Sequence, residues 1–123
     1  MPIAGGLITE SLRIGSVLEG VTLTVRKISR ANVGDIEAGQ PATWTFLDFE
    51  ADDADAARLA DALSGVLETA LGWYCDFRTD EETFVVFSGR IFRYPRGDRA
   101  GRSEAAEYGR SVGVPEAQLD WPE

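Results

Sequence analysis

Three strand-like runs close together between residues 73 and 94 constrain the fold of this chain most strongly. They read WYCDFR at 73–78, TFVVF at 83–87 and RIFRY at 90–94. Aromatic and β-branched residues favour extended backbone, and the connections between the runs are short. The second connection is Ser88-Gly89, which suits a two-residue hairpin because glycine adopts positive φ without strain. The sequence therefore predicts a three-strand antiparallel meander at the centre of a sheet.

Three further strands are predicted upstream, at 7–14, 21–28 and 43–49. Apolar and polar residues alternate at 21–28, which is the period of a half-buried strand. The run 43–49 has bulky residues on both faces. It is therefore either a central strand covered on both sides or a strand whose outer face meets a partner. Residues 1–6 are expected to form a loose N-terminal arm.

Two amphipathic helices complete the predicted elements. The longer covers 53–71, where apolar residues recur at helical spacing, Asp52 or Asp53 can cap the first turn, and Gly72 ends the helix. The shorter covers 103–112. The order β-β-β-α-β-β-β-α indicates an α+β fold, an antiparallel sheet of about five or six strands with two helices packed on one face. A chain of 123 residues fits a single domain, 1–123.

The residue content excludes several classes of protein. The chain has no histidine and one cysteine, Cys75. Zinc, non-haem iron and haem sites need more nitrogen or sulfur ligands than this, and a secreted disulfide scaffold needs cysteine pairs. No apolar run approaches the roughly 20 residues of a membrane helix, and no signal peptide is visible. We expect a cytoplasmic protein with no cofactor, metal or membrane association.

The negative charge is concentrated in the middle of the chain. The net charge is −9, and residues 48–82 alone hold eleven acidic side chains against two arginines. Such a surface repels a phosphate backbone, which argues against nucleic-acid binding. It is compatible with a basic protein partner.

The C-terminal half carries a resemblance. GRIFRYPRGD at 89–98, followed by EAAEYGRSVGVPEAQLDW at 104–121, is similar to the C-terminal portion of small uncharacterised bacterial proteins. The resemblance implies no activity, cofactor or catalytic residue.

A calcium site and a reactive cysteine are both disfavoured by the sequence. Asp48, Glu50 and Asp52 alternate near the end of a strand, but they lack the glycine and distal glutamate of a calcium loop. Cys75 has no histidine to take its proton, and it shares a strand face with Trp73 and Phe77. We expect it to be an inert core residue, because free cysteine usually packs as a small hydrophobe.

Arginines recur at every third position from residue 90 to residue 102. Beyond the last strand, Arg96, Arg99 and Arg102 can converge near the start of the second helix, with Tyr94 beside them. A helix N-terminus with guanidinium groups is a possible anion site. Alternatively, these arginines balance the acidic segment within the chain or across a dimer.

The polar face of the meander is a second candidate surface. Tyr74, Asp76 and Arg78 share one face of their strand, and Arg93 or Tyr94 joins them from the paired strand. If the helices cover only the other face, this surface is exposed and can mediate dimerisation or ligand contact.

Two functions therefore remain open. The first is a non-enzymatic interaction module, a homodimer whose acidic middle segment meets a protein partner. The second is a small enzyme or ligand-binding domain that uses the arginines and the tyrosine of residues 90–102 on an anionic small molecule. An enzymatic role is the less favoured.

Overall fold

The computed structural model describes residues 2–33, 39–119 and 121, and within them six strands form one antiparallel sheet. The strands are β1 (Pro2–Ile8), β2 (Thr24–Asn32), β3 (Thr43–Asp52), β4 (Cys75–Arg78), β5 (Glu82–Phe87) and β6 (Arg90–Pro95). The helices are α1 (Ala56–Ser64) and α2 (Arg99–Ser111), with short 3-10 turns at Thr9–Ser11, Asp53–Asp55 and Glu116–Gln118. The predicted α+β class and order of elements are confirmed.

The strand order is β2-β3-β1-β4-β5-β6, so the two central strands are β1 and β4, and the meander forms one half of the sheet instead of its centre. The expected loose arm is wrong, because residues 2–6 belong to β1; Met1 lies outside the described residues. Ile3 and Leu7 are buried in the core, and this burial overrides the weak strand propensity of the proline and glycines around them. The strand expected at 7–14 contributes only its first two residues.

The two helices lie on opposite faces of the sheet, not on the one face expected. Side chains of α1 cluster with Phe84 and Val86 of β5. Side chains of α2 cluster with Val85 and Phe87 of the same strand. Successive residues of a strand point to opposite faces, so each helix covers its own side. We call these sides the α1 face and the α2 face.

Both helices differ in length from the prediction. The helix predicted at 53–71 covers only Ala56–Ser64, and the chain then turns back so that the Val66 carbonyl accepts a hydrogen bond from the Arg13 N–H at 2.7 Å. Val66 and Leu67 are nevertheless buried, so the apolar spacing continues beyond the helix. The second helix begins at Arg99, because the Asp98 carboxylate accepts a hydrogen bond from the Gly101 N–H at 3.1 Å.

Strand β2 forms one edge of the sheet and begins later than predicted, at Thr24. Its register against β3 shifts between Val25 and Lys27, as at a β-bulge. In the part of the chain that is described, neither helix has the length and apolar character needed to cross a lipid bilayer.

Candidate functional site

Carboxylates from two separate segments meet at one end of the sheet. We define the acidic surface by its seven members, Glu50, Asp52, Asp53, Asp55, Asp80, Glu81 and Glu82. They line two grooves of about 630 and 310 Å³. Asp53 lines both grooves, so the two form one continuous surface. The turn between β4 and β5 thus adds its charges to those at the end of β3.

Local hydrogen bonds hold both acidic segments in place. The Asp52 carboxylate caps the 3-10 turn by accepting from the Ala54 N–H at 3.0 Å. In the β4–β5 turn, the Thr79 hydroxyl oxygen accepts from the N–H groups of Glu81 and Glu82, at 3.2 and 3.0 Å. In each turn a short side chain accepts hydrogen bonds from the local backbone, which stabilises the turn that carries the acidic residues.

Three arginines neutralise part of this charge. Arg93 binds the Glu82 carboxylate with two hydrogen bonds of 2.6 and 2.8 Å. These bonds lower the pKa of Glu82 against the opposing effect of desolvation. Two more pairs complete the set, Arg26 with Glu50 and Arg58 with Asp55.

Two of the remaining carboxylates are not held in ion pairs with described residues. Among the described residues, the carboxylates of Asp80 and Glu81 have no ion-pair partner. The acidic surface therefore has more carboxylates than arginines paired with them, and its net charge is negative. Partly solvated carboxylates of this kind attract cationic side chains and steer a basic partner during its approach.

The sheet-face candidates separate into different environments. Tyr74 is half-buried, and its hydroxyl donates to the Gln118 carbonyl at 3.1 Å. Asp76 and Arg78 lie on the α2 face and line a groove of about 380 Å³ with Ala4 and Gly6. Arg93 lies on the other face, because it stands opposite Phe84, which belongs to the α1 face. Asp76 and Arg78 therefore lie together on the α2 face, and Arg93 lies on the opposite face of the sheet.

Two of the four anion-binding candidates have structural roles in the fold, and the other two are exposed at the surface. Arg102 donates to the carbonyl oxygens of Leu119 and Trp121 and so fixes the C-terminal segment. Tyr94 is buried at 2% exposure, and its burial raises its pKa while the charge of Arg102 opposes the shift. Arg96 lines the groove that contains Asp76 and Arg78, and Arg99 is the first residue of α2. The groove therefore holds acids beside its arginines.

The geometry favours neither a metal site nor a reactive thiol among the described residues. Across residues 2–33, 39–119 and 121, no three histidine, cysteine or acidic side chains are grouped as metal ligands. Cys75 is buried, and its thiol donates to the Gly6 carbonyl at 3.3 Å. Burial, with a contribution from the charge of Asp76, raises the pKa of this thiol.

Comparison with known proteins finds no matching family model, no matching curated protein and no matching solved structure.

Sequence reasoning identified the acidic middle segment but not its arrangement in space. The charge count points to residues 48–82, and the acids meet at the predicted start of the first helix, 52–53, and in the short connection between the first two strands of the meander, 80–82. The exposure of Val25 and Ile28 of β2 is not predicted by the alternation at 21–28, because that pattern is typical of a half-buried strand.

Proposed function

We propose that this protein is a non-enzymatic interaction module whose acidic surface binds a basic protein partner. The observation that carries the proposal is the convergence of Asp53 with Asp80 and Glu81 in one groove. These residues come from different turns, and two of them have no ion-pair partner among the described residues. Repulsion between like charges costs folding stability, and a bound cationic partner relieves that repulsion.

The partner best suited to this surface is a folded protein with a patch of arginine or lysine. The two grooves are broad and open to solvent, and they contain no aromatic residue that would stack on a small planar ligand. Interfaces of this kind gain association rate and specificity from charge complementarity more than from buried apolar area. Binding should therefore weaken as ionic strength rises.

The test compares two charge-neutralised variants that differ only in location. Asp80→Asn with Glu81→Gln removes two charges from the acidic surface, and Glu19→Gln with Glu104→Gln removes two exposed charges elsewhere. Proteins captured by the wild-type chain are purified and titrated against all three forms at low and physiological salt. We expect a basic partner that binds the first variant about tenfold more weakly and the second unchanged. Equal affinity for both variants, or capture of acidic proteins only, contradicts the proposal.

The homodimer and the cytoplasmic location remain predictions. The open part of the α2 face presents small and polar residues such as Ala4, Gly6 and Asp48. Homodimer interfaces usually have an apolar core instead. Sedimentation velocity of the wild-type chain over a range of concentrations tests the dimer directly.

A further inference from the structure

Strand β2 has an open edge. It is the first strand in the sheet order, and β3 is its one strand neighbour in the described part of the chain. It runs for nine residues, Thr24–Asn32, and all of them are exposed except Ser29, which is half-buried. Natural sheets usually shorten, cover or bulge such an edge, because its backbone groups can pair with another strand. In β2 the bulge lies between Val25 and Lys27, so the regular part of the edge is residues 27–32.

The edge carries exposed apolar side chains on one face. Val25 is 48% exposed and Ile28 is 65% exposed. They stand opposite Phe49 and Leu47 of β3, so both belong to the α1 face. An added strand would cover them and would extend the apolar layer by one strand width.

The edge is also basic, in contrast to the rest of the protein. Arg26, Lys27 and Arg30 lie in it, and the segment 24–32 contains no acidic residue. Arg26 is paired with Glu50, whereas Lys27 and Arg30 have no ion-pair partner among the described residues. Two β2 strands from two copies would bring only cations together, and like charges opposite each other destabilise a strand pair.

We propose that the β2 edge binds an extended acidic segment of a partner protein by β-strand addition. The register gives the pattern that this segment needs. Lys27 projects to the α2 face opposite Asp48, while Ile28 and Arg30 project to the α1 face. An antiparallel partner strand therefore places an acidic residue opposite Arg30, an apolar residue two positions later opposite Ile28, and an acidic residue immediately after it opposite Lys27. Main-chain hydrogen bonds supply affinity, and these side chains supply specificity.

The experiment uses a fluorescent synthetic peptide with the repeat Glu-Thr-Val-Glu as the probe. Its controls are a scrambled peptide of the same composition and a copy with alternate backbone amides N-methylated, which keeps the charge but blocks strand pairing. We expect saturable binding of the first peptide by fluorescence anisotropy and binding at least about tenfold weaker for both controls. No saturable binding, or equal binding of the N-methylated copy, overturns the proposal.

The protein variants locate the binding. Lys27→Glu with Arg30→Glu should weaken peptide binding at least about tenfold. Arg90→Glu with Arg110→Glu changes the net charge equally at exposed positions in β6 and α2, away from β2, and should leave binding unchanged. Equal loss in both variants shows a general charge effect and overturns the proposal. A wild-type dimer in sedimentation velocity that Ile28→Arg abolishes assigns the edge to a second copy, which also overturns it.

Discussion

Gly5 of β1 lies opposite Phe77 of β4, and a Cβ atom on Gly5 would stand 2.6 Å from the Cβ atom of Phe77. The same added atom would lie 2.8 Å from Cζ of Phe49 on the other neighbouring strand. Aromatic side chains from both sides therefore occupy the space above this residue. Glycine is required here by packing at the centre of the sheet.

The next residue provides a matched control for this relationship. Gly5→Ala should lower the free energy of unfolding by about 2 kcal/mol, the usual scale for overpacking a core. Gly6→Ala should change it little, because its Cβ would meet only the Asp48 carboxylate at 3.7 Å. Urea unfolding of both variants measures the difference. Equal stability of the two would show that the strands can separate to make room.

Glu10 ties the turn after β1 to β3. Its carboxylate accepts hydrogen bonds from the Thr45 N–H at 2.6 Å and the Thr45 hydroxyl at 3.1 Å. Partial burial acts to raise the pKa of Glu10, but these hydrogen bonds outweigh it and lower the pKa. Glu10→Gln should therefore cost about 1 kcal/mol at neutral pH.

The same lowered pKa gives this interaction a pH dependence. A carboxyl group whose pKa is lower in the folded state stabilises the protein above its unfolded pKa, and the stabilisation is lost as pH falls through the folded pKa. The difference in unfolding free energy between wild type and Glu10→Gln should be constant near neutrality and shrink below about pH 4. A difference that does not change with pH would contradict the assignment.

Arg102 holds the C-terminal segment through two backbone carbonyls. Its Nη2 donates to Leu119 O at 3.2 Å, and its Nε donates to Trp121 O. Arg102→Lys keeps the charge but loses the forked geometry. We expect about 1–2 kcal/mol lower stability and stronger acrylamide quenching of tryptophan fluorescence, because Trp121 becomes accessible. Arg96→Lys, an exposed change, should leave the quenching as in the wild type.

Cys75 should not react in the native protein. Its side chain is 2% exposed, and burial raises the pKa of its thiol, so the reactive thiolate is scarce. Labelling with a disulfide reagent at pH 8 should be at least about a hundredfold slower than in urea, because it requires opening of the core. Rapid native labelling would show that β1 or β4 opens easily.

The sequence predicted those elements whose residues show their environment locally. The alternation of Trp44 and Phe46 with Leu47 and Phe49 is preserved in β3, and the three strands of the meander appear as expected. In contrast, β1 was missed because proline and two glycines conceal a buried strand. Strand β1 forms because it packs against residues more than 40 positions away, such as Phe49. A local sequence pattern does not show contacts between such distant residues.

The placement of one helix on each face of the sheet is predictable from the apolar run at residues 83–87. Thr83–Phe87 is buried at every position. A continuous apolar strand is typical of a sheet covered on both faces, so TFVVF already favours one helix on each side. The acidic surface could be predicted only in part. The number of charges is a property of the sequence, but the meeting of Asp53 with Asp80 depends on which strands are neighbours.

The central position of β1 has a consequence for folding speed. On one side of it, β2 and β3 are consecutive in the chain; on the other, β4, β5 and β6 are consecutive, so each half can assemble from nearby residues. Joining the halves requires the distant pairs Pro2 with Asp52 and Ala4 with Arg78. Closing such long loops carries an entropic cost before any contact compensates for it. We therefore expect slow folding, on the order of milliseconds to seconds, with the insertion of β1 as the late, rate-limiting event.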